Sequence, residues 1–500
     1  MENELKEMEK ILYAAADKMI GGLSVTNYKF VVLGIIFLKY ISDSFKEKYN
    51  ELKAQGYGLE EVRDAYEEDN IFFVPEQARW SYLVAHSKDY NIGEILDNAL
   101  TLIEKENTEL KGVLFKIYNS TNFRNINLGE IIDLFTNIKI GTEEAKEKDL
   151  LGRIYEYFLG QFAAKDLQKG GEFYTPACLV RTMVEMIEPY SGRVYDPACG
   201  SGGMFVQSLK FIERHQGNVR NIAIYGQEKN PDTWRLAKMN LAIRSINGDL
   251  GKFAADTFHE DLHRDLKADY ILANPPFNVK DYGQESLLED PRWIYDVPPE
   301  KNANYAWIQH MISKLSKKGK MACILANGSL TASGQEYEIR KKLIENHLVD
   351  CIIAMPNNLF YTVTVPCSIW IINRDETRTT KDNILFINAS NMGTMVTRRL
   401  RELQEDEILK IADTYHKYQK NEDYEDVLGY CKKATFEEVQ EKDFALTPGS
   451  YVGIEEQEAD GIPFEEKMTT LTQELSKQFE ESHKLEDEIK KNLEAIGYGI

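Results

Sequence analysis

The sequence predicts an α/β domain with a mostly parallel β-sheet, preceded by an all-helical domain and followed by a helical tail. Short apolar runs separated by helical patterns fill the middle of the chain, which is typical of βαβ units whose sheet is buried on both faces. Before the first of these runs, apolar residues recur at helical spacing, and Pro75 is the only proline ahead of Pro176. Towards the end, the composition becomes charged and helical. The three predicted regions are residues 1–165, 166–400 and 401–500.

The helical region at the amino end carries no residues arranged for catalysis, so we interpret it as a scaffold. The strands of the central region are short and apolar, and the last two are close enough in sequence to form an antiparallel hairpin at one edge of the sheet. The predicted strands are Arg193–Tyr195, Ala223–Tyr225, Tyr270–Ala273, Met321–Leu325, Val349–Ala354 and Ser368–Ile372.

A glycine-rich turn follows the first predicted strand. The strand leads to Asp196, and Pro197 and three glycines interrupt the pattern before helical spacing resumes at Met204. Glycine has no Cβ and reaches positive φ, so the backbone of such a turn can approach a ligand closely. The dinucleotide fingerprint G-x-G-x-x-G does not fit, because Phe205 stands where its third glycine is required. The acid before the turn suits a cofactor that lacks a pyrophosphate.

The tetrapeptide Asn274-Pro275-Pro276-Phe277 ends another buried-strand pattern. Two prolines fix the backbone at the carboxyl end of a strand, where ligands bind in open α/β sheets. An exocyclic amino nitrogen of a base is a poor nucleophile, because its lone pair is delocalised into the ring. The Asn274 side-chain oxygen and the Pro275 carbonyl can accept its two hydrogens, and Phe277 offers a face for stacking. A proline turn closed by a core phenylalanine is the alternative, which the preceding glycine turn disfavours.

Together these motifs resemble those of S-adenosylmethionine-dependent amino methyltransferases that act on DNA. The wider sequence is similar to the modification (M) subunit of type I restriction-modification systems over nearly all of residues 1–400, with the motifs in the family's order. The resemblance implies a Rossmann-like methyltransferase fold and a site-specific N6-adenine DNA methyltransferase with S-adenosyl-L-methionine as cofactor and no metal. The segments that match are Gly170–Pro176, Asp196–Phe205, Gln227–Asn230, Asp256–Phe258, Ala273–Phe277 and Ala303–Trp307.

The resemblance also implies roles for the site residues. Asn274 to Phe277 are expected to hold a flipped adenine, with Phe360 and Tyr361 as a second wall. The residues expected to bind the cofactor are Glu172, Phe173, Tyr174, Thr175, Pro176, Asp196, Gly200, Ser201, Gly202, Gly203, Glu228 and Asp256.

For three of the expected cofactor contacts, the donor and acceptor groups can be named. The Glu228 carboxylate is expected to accept both ribose hydroxyls, and the Thr175 hydroxyl is expected to donate to the methionine carboxylate. Asp256 is expected to accept from the amino group of the cofactor's adenine, although a helix N-cap before Thr257 is an open alternative.

One metal motif is present. His259-Glu-Asp-Leu-His263 fits H-E-x-x-H, which on a helix binds zinc through two imidazoles on one face. The predicted strand at Tyr270 follows too closely for a long helix, and no third ligand is apparent nearby. We therefore predict a solvated connecting segment without zinc.

The net charge of −21 opposes binding to DNA, because a polyanion is repelled by an acidic protein. The chain must carry a local basic face or obtain one from a partner. Two basic clusters are candidates, one at residues 314–320 (Lys314, Lys317, Lys318, Lys320) and one at residues 398–401 (Arg398, Arg399, Arg401).

Compartment and membrane association are indicated by the cysteines and the apolar runs. The six cysteines form no C-x-x-C pair, and no signal peptide is apparent, which favours reduced thiols in the cytoplasm of a bacterium or archaeon. The longest apolar run, Phe30–Leu38, is too short to cross a membrane.

An apolar stripe at spacings of three and four, from Phe464 to Ile496, predicts one long amphipathic helix. The stripe must be buried, either against the core of this chain or against helices of another subunit. The acidic tail is short for a target-recognition domain, so we predict that a separate specificity (S) subunit selects the sequence and docks on this helix. The resemblance implies two M subunits per S subunit, with double-stranded DNA and a restriction (R) subunit as further partners.

Alternatives remain open at the level of sequence. An Asn-Pro-Pro-aromatic lip also serves amino nitrogens of RNA and the amide of protein glutamine, and a non-catalytic scaffold can retain the fold. The lip does not separate adenine N6 from cytosine N4, because both are exocyclic amino groups; the family resemblance favours adenine.

Overall fold

The computed structural model describes residues 10, 13–14, 17, 25–67, 69–120, 127–136, 154–155, 157–161, 175–244, 246–360, 365–398, 400–454 and 464–495. Two compact units divide the chain, the first spanning Met1–Val452 and the second Gly453–Ile500.

The regular elements in the described part of residues 1–165 are helical, as predicted. Apolar residues are buried along one face of the fourth helix at spacings of three and four, Leu96, Ala99, Leu100 and Ile103. The first helix is apolar on all sides from Val31 to Leu38 and is buried accordingly. The helices are α1 (Val25–Gln55), α2 (Asp64–Glu67), α3 (Trp80–Ala85), α4 (Ile92–Glu106) and α5 (Leu128–Thr136).

In the described part of the chain, nine strands form the central sheet in the order β11-β8-β6-β7-β5-β4-β1-β2-β3. Most neighbours are parallel, whereas β7 is antiparallel to β5 and β6, and β11 is antiparallel to β8. The predicted α/β class with a mostly parallel sheet is confirmed. The strands are β1 (Gly192–Asp196), β2 (Ile222–Gly226), β3 (Gly248–Asp249), β4 (Ala268–Ala273), β5 (Leu315–Ala326), β6 (Val349–Ala354), β7 (Cys367–Asn373), β8 (Asn383–Asn388) and β11 (Cys431–Thr435); β9 (Thr394–Met395) and β10 (Arg401–Glu402) form a separate hairpin.

Three features of the sheet differ from the sequence interpretation. β3 and β8 were not among the predicted strands. The antiparallel pair β6 and β7 was predicted at an edge, but β7 lies inside the sheet between β5 and β6. The region predicted to be helical from residue 401 also contributes β11, which pairs with β8. Lys432 and Lys433 are half-buried in β11, and charged side chains of this kind are typical of edge strands.

Both faces of the sheet are buried. Successive residues of β1 point to opposite sides, so Val194 joins one apolar cluster and Tyr195 the other. The cluster that contains Val194 also includes residues of α1 and α4. The N-terminal helices therefore share a core with one face of the sheet. The helices that accompany the strands are α6 (Ala177–Ile187), α7 (Gly203–Arg214), α8 (Pro231–Ala242), α9 (Asn304–Lys314), α10 (Gln335–Glu345), α11 (Glu405–Lys420) and α12 (Phe436–Glu441).

The second unit contains the helix α13 (Phe464–Ala495), which agrees with the predicted amphipathic segment. Apolar side chains on its stripe are about half exposed, as for Leu475 at 47% and Phe479 at 57%. Within the described residues, every helix is too short or too polar to cross a membrane.

Candidate active site

Asp196 ends β1 and is almost completely buried at the start of the glycine turn. Its Oδ1 accepts a hydrogen bond from the amide of Ala198 at 3.0 Å. Burial raises the pKa of Asp196 to about 8, and the nearby Glu228 adds to the effect, whereas the Ala198 hydrogen bond opposes it. Gly200 and Gly202 have φ of 53° and 80°, which turn the chain into α7.

Glu228 fastens the glycine turn to the end of β2. Its Oε2 accepts from the amide of Gly200 at 3.1 Å, and its Oε1 accepts from the amide of Asn230 at 2.7 Å. The predicted role of this carboxylate towards ribose hydroxyls stays a prediction. Behind it, Ser201 is held through its carbonyl, which accepts from Asn240 Nδ2 at 2.8 Å.

Gln227 is a positioning residue that the sequence analysis did not single out. Its side chain is fully buried, and its Nε2 donates to the carbonyls of Ala255 at 3.2 Å and Glu260 at 2.8 Å. The amide of Ala255 donates to the carbonyl of Glu228 at 2.9 Å. These contacts place the Asp256 segment beside the end of β2.

Asp256 directly precedes a turn at residues 257–259, and no helix begins there, so the helix N-cap alternative is wrong. Its Oδ1 accepts from the amide of Phe258 at 2.9 Å, and its Oδ2 is 2.7 Å from Lys229 Nζ. Burial alone raises the pKa of Asp256, but the hydrogen bonds and charge of its partners, chiefly Lys229, outweigh burial and lower it. The carboxylate therefore remains ionised and able to accept further hydrogen bonds.

The space above the glycine turn suits a ligand. A Cβ added at Gly200 or Gly203 would meet no atom within 4 Å among the described residues. Gly226 is packed by contrast, since a Cβ there would lie 2.7 Å from Leu250 Cδ2. Open space over the turn, with the Glu228 and Asp256 carboxylates beside it, fits a cofactor that carries an adenosine and a positive sulfonium.

Asn274 follows the last residue of β4 and is 9% exposed. Its Nδ2 donates to Thr175 Oγ1 at 2.9 Å, whereas its Oδ1 is buried and has no hydrogen-bond partner among the described residues. A buried acceptor without a partner is costly in a folded protein and indicates a ligand that donates to it. Thr175 thus lies at the target lip as well as in the segment expected to bind the cofactor. Pro176 follows it, and α6 begins at the next residue.

Phe277 and Phe360 form the aromatic part of the lip. Their ring centroids are 5.8 Å apart at an interplanar angle of 87°, and Phe360 is buried. The chain after Phe277 is fixed by a reciprocal amide pair, in which Asn278 N donates to Asn304 Oδ1 and Asn304 Nδ2 donates to Asn278 Oδ1. Pro275 is buried between Asn274 and Pro276, which is half-buried.

Arg292 joins the cofactor side of the site to the chain that follows the lip, and no sequence signal pointed to it. Its Nη1 donates to the carbonyl of Thr257 at 3.0 Å, and its Nη2 donates to the carbonyl of Phe258 at 2.5 Å. Asp290 pairs with the same guanidinium, and Arg292 Nη1 also lies 3.0 Å from His310 Nδ1. Arg292 therefore holds the turn that follows Asp256.

The H-E-x-x-H motif is engaged in backbone contacts. His259 Nε2 donates to the carbonyl of Tyr282, and His263 Nε2 donates to the carbonyl of Gly226, both at 2.8 Å. Residues 257–265 form turns rather than a helix. Among the described residues, no group of three or more His, Cys, Asp or Glu side chains is arranged to hold a metal ion.

The two basic clusters lie in different places. Lys314 is buried, pairs with Asp261 at 2.5 Å and donates to the carbonyl of His263, so it is not available to DNA. Residues 317–320 lie towards the amino end of β5. Because Ala273 pairs with Cys323, they are three to six residues, about 10–20 Å, along the strand from the lip. Cluster 398–401 lies nearer, because the amide of Arg401 donates to the carbonyl of Asn358 at 2.8 Å.

Several predicted site residues fall outside the described residues. These are Glu172, Phe173 and Tyr174 of the cofactor segment, Tyr361 of the second wall and Arg399 of the basic cluster.

Comparison with known proteins gives a consistent result. Residues 146–460 match the N-6 DNA Methylase family model, and residues 8–135 match the HsdM N-terminal domain. The chain is 48% identical to the type I restriction enzyme HindI methylase subunit of Haemophilus influenzae, over 85% of this chain and 100% of that protein. It is 38% identical to the MjaIX methylase subunit of Methanocaldococcus jannaschii, over 98% and 92% of the two chains.

Solved structures agree with the fold. The type I restriction-modification methyltransferase subunit from Streptococcus thermophilus has a TM-score of 0.75 at 24% identity, covering 90% of this chain and 99% of that one.

Proposed function

Because this chain belongs to the N-6 DNA methylase family of type I restriction enzyme methylase subunits, we propose that Asn274 to Phe277 hold its target adenine. The chain is the methylation subunit of a type I restriction-modification system and methylates adenine N6 in DNA. The observation that carries the assignment of the site is the Asn274 Oδ1, which is buried at the carboxyl end of a parallel strand without a partner among the described residues.

The main task of the protein in this reaction is to align the amino nitrogen of the target with the methyl group and sulfur of the cofactor. S-adenosyl-L-methionine, which we propose as the cofactor, supplies a methyl group on a sulfonium, whose leaving group is neutral. Asn274 Oδ1 and the Pro275 carbonyl accept the two amino hydrogens and shift electron density onto the nitrogen, while Phe277 stacks on the flipped base. The two prolines fix these acceptors relative to the glycine turn, which is catalysis by proximity. The nitrogen becomes acidic only when it has gained the methyl group, so no base need act before transfer.

The cofactor site is proposed from residues on both sides of the glycine turn. We assign Thr175 and the backbone of Pro176 to the methionine end, together with residues 172–174. We assign the turn Gly200-Ser201-Gly202-Gly203 to the backbone approach, with Asp196 below it. Glu228 is proposed to bind the ribose, and Asp256 the adenine. The open space over Gly200 and the ionised Asp256 support these assignments.

Replacing Asn274 tests the proposed site. In the complex with its co-expressed specificity subunit, Asn274→Ala is expected to lower the methylation rate by about 10²–10³, because a preorganised acceptor for the reacting amine is lost. The affinity for S-adenosyl-L-methionine, measured by calorimetry, is expected to stay unchanged. Asn346→Ala is the control, since this exposed asparagine lies at the end of α10. A full methylation rate with Asn274→Ala would refute the assignment.

We further propose that a cytoplasmic complex of two copies of this chain and one specificity subunit binds double-stranded DNA, and that a restriction subunit joins it. The net charge of −21 supports a partner that supplies part of the DNA-binding surface. The exposed apolar stripe of α13 is proposed as the surface that meets helices of the specificity subunit. Native mass spectrometry of the co-expressed complex measures the stoichiometry directly. A mass that corresponds to one copy of each chain would contradict the proposed two-to-one complex.

A further inference from the structure

The hydrogen bond between Asn274 and Thr175 determines which end of the Asn274 amide faces the target. A primary amide can rotate by half a turn and present either its oxygen or its NH₂ group, but only the oxygen can accept from an amino group. The Asn274 Nδ2 is committed to Thr175 Oγ1 at 2.9 Å, which leaves Oδ1 free to accept. No other residue in the described part of the chain has a hydrogen bond to this amide.

A hydroxyl, however, can either accept or donate. If the Thr175 hydrogen pointed at Asn274, the amide would turn its oxygen towards Thr175 and present NH₂ to the amine, which cannot accept. The hydroxyl accepts from Asn274 reliably only when its own single hydrogen is donated elsewhere. Thr175 begins the segment Thr175-Pro176 that is proposed to meet the carboxylate of the cofactor, and a carboxylate accepts such a hydrogen strongly.

We propose that Thr175 is a positioning residue that couples cofactor binding to recognition of the target amine. This inference rests on the proposed function of Asn274 and extends it. The Thr175 hydroxyl donates to the cofactor carboxylate and thereby accepts from Asn274 Nδ2, so Oδ1 faces the target amine when the cofactor is bound. The coupling is reciprocal: a bound target base strengthens binding of any cofactor analogue that carries the carboxylate.

The unmodified protein provides the first test. The complex with its specificity subunit is titrated with fluorescein-labelled duplex DNA that retains the target adenine, once sequencing of methylated host DNA has defined the site, and binding is followed by fluorescence anisotropy. S-adenosylhomocysteine, which retains the carboxylate, is expected to tighten DNA binding by about tenfold. 5′-Methylthioadenosine, which lacks it, is expected to have little effect. Equal coupling by both analogues would overturn the proposal without involving any substitution.

Variants of Thr175 provide the second test. Thr175→Val removes the hydroxyl at similar volume, and it is expected to lower the maximal methylation rate about tenfold and to abolish the coupling by S-adenosylhomocysteine. Thr175→Ser retains the hydroxyl. Its maximal methylation rate and its coupling by S-adenosylhomocysteine are both expected to stay within about threefold of those of the unmodified protein. Equal behaviour of the two variants would overturn the proposal. Asn274→Ala, measured in parallel, separates the outcomes: if it methylates normally, the proposed site itself fails, whereas if only Thr175→Val is normal, the coupling alone fails.

Discussion

Asp196 is a strongly perturbed carboxyl group of the site. It is 1% exposed and lies beneath the glycine turn, where burial raises its pKa to about 8. At neutral pH the buried carboxyl is therefore protonated, because ionising it inside the fold is costly. A carboxyl perturbed in this way, at the end of β1 next to the ligand space, is expected where function has set the side chain.

The perturbed pKa gives a prediction for stability. Between the unfolded pKa of about 3.9 and the folded pKa of about 8, the folded protein holds a proton that the unfolded chain has released. Stability therefore falls as the pH rises through this window, and the loss is complete above pH 8. From pH 6 to pH 9 the melting temperature of the cofactor-free protein is expected to fall by roughly 2 to 3 °C more than that of Asp196→Asn.

A second carboxyl group serves as the control for this measurement. The Arg193 side chain pairs with Asp269, and although burial opposes it, the pKa of Asp269 is lowered. Asp269 is ionised above pH 6 in both the folded and the unfolded protein. The melting temperatures of Asp269→Asn and the unmodified protein should therefore differ by a constant amount from pH 6 to pH 9. Scanning calorimetry in matched buffers measures both series. If the melting temperatures of Asp196→Asn and the unmodified protein also differed by a constant amount across this pH range, the raised pKa of Asp196 would be contradicted.

At the scale of elements, the turn after Asp256 is held by a side chain from another segment. Arg292 donates to the carbonyls of Thr257 and Phe258, and the Thr257 hydroxyl donates to the carbonyl of Pro197 at 2.6 Å. The glycine turn, the Asp256 turn and the chain after the lip are thereby connected. Arg292 thus supports the turn next to Asp256, the residue proposed to bind the adenine of the cofactor.

Removing this connection is expected to weaken cofactor binding. The pair Arg292→Gln and Asp290→Asn leaves no buried unpaired charge, but glutamine cannot bridge two carbonyls, so the Asp256 turn loses its support. The dissociation constant for S-adenosyl-L-methionine, measured by calorimetry, is expected to rise about tenfold. Arg193→Ala is the control, because that arginine lies near the amino end of β1, away from the site. An unchanged dissociation constant in the double variant would show that Arg292 is only structural.

The β9–β10 hairpin is a second element with a testable role. Through Arg401 and Asn358 it is attached to the segment that carries Phe360, and its Arg398 is exposed. If Arg398 contacts a phosphate, Arg398→Ala should weaken binding of the complex to DNA of any sequence and lower the slope of log Kd against log salt by about one. Fluorescence anisotropy at several salt concentrations measures this. Lys317→Ala, at the opposite end of β5, should leave the slope unchanged; equal effects would contradict the assignment.

Local patterns in the sequence predicted those helices and strands that depend mainly on residues close together in the chain. Apolar runs located β1, β2, β4, β5, β6 and β7, since strands buried on both faces are apolar throughout. β3, β8 and β11 were missed. β3 has only two residues and β11 is an edge strand with Lys432 and Lys433, so neither has such a run, whereas the apolar run of β8 was overlooked. Asn274 was identified by its prolines, but its partner Thr175 lies 99 residues away. Arg292 likewise acts on residues that only the fold brings near, so no local pattern indicates it.

At the scale of the whole molecule, the net charge of the chain opposes the binding of DNA at the proposed site. The net charge of −21 repels DNA, and Lys314, the first residue of one basic cluster, is buried in an ion pair. We therefore expect the attraction to the polyanion to come from local basic residues of this chain and from the proposed partner. On this proposal, the surface that joins the subunits is required for methylation.

We proposed helix α13 as that surface, and its two faces provide a matched pair of substitutions. Leu475 lies on the apolar stripe, and Gln473 lies two residues earlier on the opposite face of the helix; both are exposed. Glutamate forms helices well, so Leu475→Glu and Gln473→Glu each add one negative charge without removing the helix. Leu475→Glu is expected to prevent co-purification with the specificity subunit, because burying an unpaired carboxylate between helices is costly, whereas Gln473→Glu is expected to assemble normally. Both variants should bind S-adenosyl-L-methionine as tightly as the unmodified chain. Normal assembly of Leu475→Glu on size exclusion would show that the stripe is not the docking surface.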